Sequence, residues 1–185
     1  DDEYVFDAAV VCPDNARGTF VDERDGQTYK YTTIGDRKWM AQNLNFVADS
    51  GSGCRYKEGC AEKGRVYSMG VLKNVCPSGW HSLNNDDWND LFELMGGDSI
   101  AAFRLKSVDG WAKLNRDDGP SGSDDCGFSI VPAITSSTLD GQDLLLAAFW
   151  SSPPNRPMFW SYKDGVTIGT APDFYYLSVR CVEDR

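Results

Sequence analysis

Six cysteines constrain this chain more than any other feature. They stand at positions 12, 54, 60, 76, 126 and 181, an even set open to several complete pairings. No Cys-x-x-Cys pair occurs, and His81 is the only histidine, so the spacing of a zinc site is absent. Disulfides, and with them an oxidising compartment, are the expected use. Cys54 and Cys60 flank a short polar loop and are expected to pair locally. Cys76 in mid-chain and Cys181 in the final strand suggest a long clamp, which leaves Cys12 with Cys126 by elimination.

At 185 residues the chain is long enough for one well-buried domain, and 12% aromatic content argues against disorder. The formal charge of −10 disfavours nucleic acid, which needs clustered Lys and Arg. No apolar run approaches the length of a membrane span. The sequence opens on Asp1 and is read as a trimmed product of export.

Periodicity divides the chain into strands, then helices, then strands. Residues 1–18 read as an extended leader and 19–185 as the folded domain. Thr19 to Asp22, Gln27 to Ile34 and Arg37 to Met40 are strands joined at Asp25-Gly26 and Gly35-Asp36. Met69 to Val75 reads as helical. Trp88, Leu91, Phe92 and Met95 fall on one helical face after a cap at Asn84 or Asn85. A short helix capped by Asp98 or Ser99 follows. Strands are expected over 127–131, 144–150, 158–162, 166–168 and 175–182, with a hairpin turn at Asp164-Gly165. The class is therefore α+β: antiparallel sheets, two or three short helices and a long disulfide from mid-chain to the last strand.

Four blocks carry a family resemblance. They are Asp25-Gly26-Gln27-Thr28-Tyr29-Lys30 with residues 34–45, Cys76-Pro77-Ser78-Gly79-Trp80-His81, Gly127-Phe128-Ser129, and Phe149-Trp150-Ser151-Ser152 with Ser178-Val179-Arg180-Cys181-Val182. In these blocks the chain resembles the Fibrobacter succinogenes major paralogous domain. The resemblance implies an exported protein of fibre-degrading or gut bacteria, often lipid-anchored in its precursor. It also implies a fold like that of C-type lectins, whose long disulfide would match Cys76–Cys181. The chain departs from the family pattern at Ser82-Leu83 and over residues 133–136, which puts ligand preferences tied to those loops in question.

Each candidate chemistry has a plain structural competitor. Trp88-Asn89-Asp90 spells a calcium-ligating triplet of sugar-binding lectins, but here it falls inside a helix that needs Trp88 for its apolar face. Asp117, Asp118, Asp124 and Asp125 cluster in a polar loop where calcium is a chemical option; a solvated loop is the simpler reading. No other cofactor is expected. His81 beside Trp80 reads as a structural histidine bonded to loop carbonyls, so a Ser-His-Asp arrangement is not expected. The 28 acidic residues leave room for a glycosidase-type carboxylate pair, but no motif marks one, and the chain is read as non-catalytic.

Trp39, Trp80, Trp88 and Trp150 are assigned to the core. Trp111, Phe159, Trp160 and Tyr162 lie beside polar residues and are candidates for stacking on sugar rings, with Arg156 and Lys163 to bond hydroxyls. The expectation is a secreted or outer-surface module that binds polysaccharide. The alternative is a structural or protein-docking module whose partner is a surface protein.

Overall fold

The computed structural model describes residues 3–55, 59–111, 120–137 and 143–185. Alternating β-branched and aromatic residues make β1 (Arg17–Asp22) and β2 (Gln27–Ile34) an antiparallel hairpin. Gly35, at φ 63°, supplies the left-handed residue of the tight turn into β3 (Arg37–Met40). The segment ahead of this hairpin is not an extended leader. It forms a helical turn, α1 (Ala8–Val11), capped by the Asp7 side chain, and Phe6, Ala8 and Val11 pack against the core because the buried Cys12 ties the segment down.

The middle of the chain contributes β4 (Ser52–Gly53), α2 (Cys60–Lys63), β5 (Val66–Ser68), a 3-10 turn over Met69–Asn74, and β6 (Trp80–Ser82). The expected helix follows as α3 (Asn85–Leu94). The Asn84 side chain accepts from the Asp87 amide and the Asp87 carboxylate accepts from the Asn84 amide, each at 3.0 Å, so both ends of a capping box are closed. Its Trp88, Leu91 and Phe92 are buried together with Met95. α4 (Asp98–Leu105) follows Gly97 without a side-chain cap.

Four strands form the second sheet, in the order β10 (Thr167–Thr170), β9 (Asn155–Trp160), β8 (Asp143–Ala148), β7 (Ile134–Ser137). The first sheet has the order β1-β2-β3-β12-β6, with β12 (Cys181–Glu183) central between β3 and β6. A small third sheet pairs β4 and β5 with β11 (Tyr176–Leu177). The strand expected over 127–131 is reduced to a single bridge, Lys106 with Ile130. That expected over 175–182 is split between two sheets, because Leu177 to Val182 are buried on both faces rather than alternately.

Two apolar clusters hold the layers together. One gathers Trp88, Phe92, Phe128, Phe149 and Phe159 beneath α3 and α4, with ring centroids 5.4–6.3 Å apart. The other joins Tyr29, Met40, Leu44, Tyr67, Trp150, Leu177 and Val179 between the first and third sheets. Trp150 bridges elements by donating from its indole N–H to the Tyr67 carbonyl at 2.6 Å, while its own carbonyl accepts from the Trp88 indole at 3.2 Å. Three disulfides, Cys12–Cys126, Cys54–Cys60 and Cys76–Cys181, use every cysteine. The last joins mid-chain to β12, with the Cys181 sulfur in the core.

Candidate functional site

The family-like blocks meet inside the protein rather than on its surface. Arg180 is buried, and its guanidinium donates to Asn43 Oδ1 at 2.7 Å and to the carbonyls of Met40, Phe128 and Ser129. The rings of Phe128 and Phe149 flank it at 4.6 and 5.8 Å. Burial lowers its proton affinity, and the nearby Asp124 carboxylate acts in the opposite direction. Asp124 is itself engaged, accepting from the Ser129 amide at 2.8 Å and the Ser129 hydroxyl at 2.6 Å.

A second network lies at the start of α3. Arg37 pairs with Asp87 at 2.7 Å, and both side chains are buried. His81 sits between two carboxylates, Nε2 at 2.8 Å from Asp87 and Nδ1 at 2.6 Å from Asp184. Its partners are therefore acids and not the loop carbonyls expected from the sequence. Burial alone would raise the Asp87 carboxyl, but bonds from the Asn84 amide, Arg37 and His81 outweigh it and hold the group below its ordinary range. These two networks pair most of their own donors and acceptors and brace the fold, although the Arg37 Nε is buried without a partner.

Surface chemistry concentrates on the outward face of β9 and the loop ahead of β11. Along β9, Pro157 and Phe159 point into the core, while Arg156, Met158 and Trp160 share the other, partly exposed face, where Met158 and Trp160, like Tyr175, pack against the second cluster. Trp160 lies 5.7 Å from the exposed Tyr162, measured between ring centroids. The turn carrying them is fixed from below: the buried Lys106 ammonium donates to the carbonyls of Trp160 and Lys163, each at 2.8 Å. At the other end of the strand the Arg156 guanidinium lies 5.2 Å from the Tyr175 ring, and Tyr175 meets Phe174 at 5.2 Å. Phe174, 73% exposed, lines a shallow recess of about 400 Å³ with Tyr175, Tyr176, Arg55 and Val66. Gly169 lets Arg156 and Met158 lie over β10; a Cβ there would meet Met158 Cε at 2.8 Å and Arg156 Nε at 3.4 Å.

Two candidates from the sequence do not belong to this face. Phe159 is wholly buried among Trp88, Phe92 and Phe149, because strand alternation turns it opposite to Trp160. Trp111 is also buried, its indole donating to the Ile130 carbonyl and Ser107 hydroxyl at 3.2 Å. Trp160 and Tyr162 do lie together at one end of β9, while Arg156 lies at the other, by Tyr175, next to Phe174 and the recess that Tyr176 and Arg55 also line. The aromatic triplet after Pro172-Asp173 was the available signal, hidden by reading 175–182 as one strand.

In the acidic loop, Asp117 and Asp118 lie outside the described residues. Asp124 accepts from the Ser129 amide and hydroxyl, and Asp125 lies 3.8 Å from Arg104. Among the described residues no group of three potential metal ligands converges. A larger open groove of about 920 Å³ runs between the segment holding Glu3 and Tyr4, the β2–β3 turn and α3. Its rim carries Asp36, Asp90 and Glu93; Asp90 lies 3.5 Å from Arg185, and the Tyr4 hydroxyl closes on the Leu94 carbonyl.

These features define a disulfide-clamped α+β module with bracing motifs inside and an aromatic platform outside. The family model of the Fibrobacter succinogenes major domain matches residues 32–183, and the chain belongs to that family. No curated protein and no solved structure matches it.

Proposed function

We propose that the chain is a non-catalytic binding module of C-type lectin-like architecture, part of a secreted or outer-surface protein, that holds polysaccharide on the β9 platform. The observation that carries this reading is two pairs of partly or well exposed rings at the two ends of β9, Trp160 with Tyr162 and Tyr175 with Phe174, the second pair beside the Arg156 guanidinium. Flat rings cover the apolar faces of pyranoses, and their few rotatable bonds keep the entropic cost of ordering low. Rigidity comes from the Lys106 ammonium below the turn and from the pairing of β9 with β8 and β10. Three disulfides suit an oxidising exterior, and no helix among the described residues is long and apolar enough to cross a membrane.

Retention on cellulose, xylan and other insoluble polysaccharides tests the reading, with Trp160→Ala and Phe174→Ala as variants whose folding is checked by thermal melting. Retention by the parent and loss by both variants is expected, and a chelator should leave retention unchanged because rings and guanidinium make the contacts. No retention on any polysaccharide would overturn the reading in favour of protein docking, for which the exposed Tyr4, Val5 and Val10 are the first surface to probe.

A further inference from the structure

We infer that the ligand of this platform carries carboxylates: a polysaccharide containing uronic acids, gripped by Arg156 and Arg55. This rests on the platform reading and names its ligand class. In a chain of net charge −10, arginines have acids in abundance, and Arg17, Arg24, Arg37, Arg104 and Arg185 each lie within ion-pair distance of a carboxylate. Arg156 does not. Among the described residues its guanidinium makes no hydrogen bond or ion pair; it lies by the Tyr175 ring, and its Nε is sealed from solvent without a partner. The sealed Nε, a condition shared with Arg37 and Arg65, is out of a ligand's reach; the terminal nitrogens of the fork, which have no acceptor among the described residues and are not sealed, are the groups open to one.

The neighbouring groups point to the same chemistry. Arg55, exposed across the recess, spends one N–H on the Tyr176 carbonyl at 3.0 Å and has no other bond among the described residues. Asp173 precedes Phe174 in the loop, yet forms no ion pair with either arginine. Arg55 lines the recess with Phe174, Tyr175 and Tyr176, and Arg156 lies against the Tyr175 ring, so the Tyr175 side chain connects the two guanidiniums. A planar fork accepts a carboxylate through two parallel bonds, and a sugar acid places that carboxylate beside a ring able to stack. Neutral cellulose or xylan would use the rings and leave the fork unfilled.

The test compares affinities for polygalacturonate, its methyl-esterified form, neutral xylan and dextran sulfate by affinity electrophoresis and calorimetry. The free acid is expected to bind at least about 10-fold tighter than the ester at low salt, the lower end for a charged hydrogen bond. Arg156→Gln should abolish that difference while keeping the binding to xylan, whereas Trp160→Ala should weaken every glycan. Arg55→Gln serves as the second variant should Arg156→Gln fail to fold. Equal affinity for acid and ester overturns the inference and leaves the platform standing. A preference for dextran sulfate that survives Arg156→Gln overturns it as diffuse charge attraction, and no binding to any glycan overturns both.

Discussion

Arg180 Nε donates to Asn43 Oδ1 at 2.7 Å, joining residues 137 positions apart. Through the same guanidinium the carbonyls of Met40, Phe128 and Ser129 are gathered, so three separate stretches of chain depend on one cation. Arg180→Lys keeps the charge but cannot reach all four acceptors, and orphaned buried acceptors each cost about 1–3 kcal/mol. A loss of at least about 3 kcal/mol is expected from urea unfolding; a change below about 1 would mean that the hub is decorative.

Asp87 makes acid stability a readable quantity. Its folded carboxyl titrates below the unfolded one, so its contribution is present above about pH 4 and lost as pH falls through the folded value. Melting temperature measured from pH 7 down to about pH 2.5 should drop through this region. Asp87→Asn should start lower at pH 7 and fall less steeply, since it removes the titrating group along with the partner of Arg37. Parallel curves for both proteins would contradict the assignment.

Phe159 and Tyr162 are three positions apart and should behave oppositely. Phe159→Ala empties a space among three other rings and is expected to cost about 3–5 kcal/mol. Tyr162→Ala, at the exposed end of the platform, should change stability by less than about 0.5 kcal/mol while reducing glycan retention. Chemical denaturation run beside the pull-down separates the two.

The bridges differ in what they restrain. By the loop-closure estimate, Cys76–Cys181, spanning 105 residues, contributes roughly 5 kcal/mol, and Cys54–Cys60, spanning 6, roughly 2. Paired serine substitutions should reproduce that order in thermal melts. The reverse order would show that the short loop is tied to more of the fold than its span indicates.

What could be read in advance was what local chemistry encodes. The α3 cap, its apolar face and the Gly35 turn follow from neighbours in sequence, and the pairing of Cys76 with Cys181 matched the family likeness. Exposure was harder. Phe159 and Trp160 are adjacent aromatics that sequence does not tell apart, and only the parity of β9, with Arg156, Met158 and Trp160 on one side, turns Phe159 inward. The carboxylate partners of His81 come from α3 and from beyond β12, a proximity that no sequence spacing expresses. Phe174, Tyr175 and Tyr176 escaped because an aromatic run favours a strand, whereas β11 takes only Tyr176 and Leu177 and leaves the loop ahead of it outside any sheet.

The position of β12 sets a schedule for biogenesis. Because Cys181–Glu183 fills the gap between β3 and β6, the main sheet is two unjoined pieces until the chain has been made past residue 183. A growing polypeptide therefore has its first hairpins and α3 available early, but cannot close its sheet or bring Cys181 to Cys76. Closure of the sheet and formation of the Cys76–Cys181 bridge both wait for the last strand. A chain stopped short of β12 should remain open, protease-sensitive and recognisable to chaperones, however intact its first 175 residues.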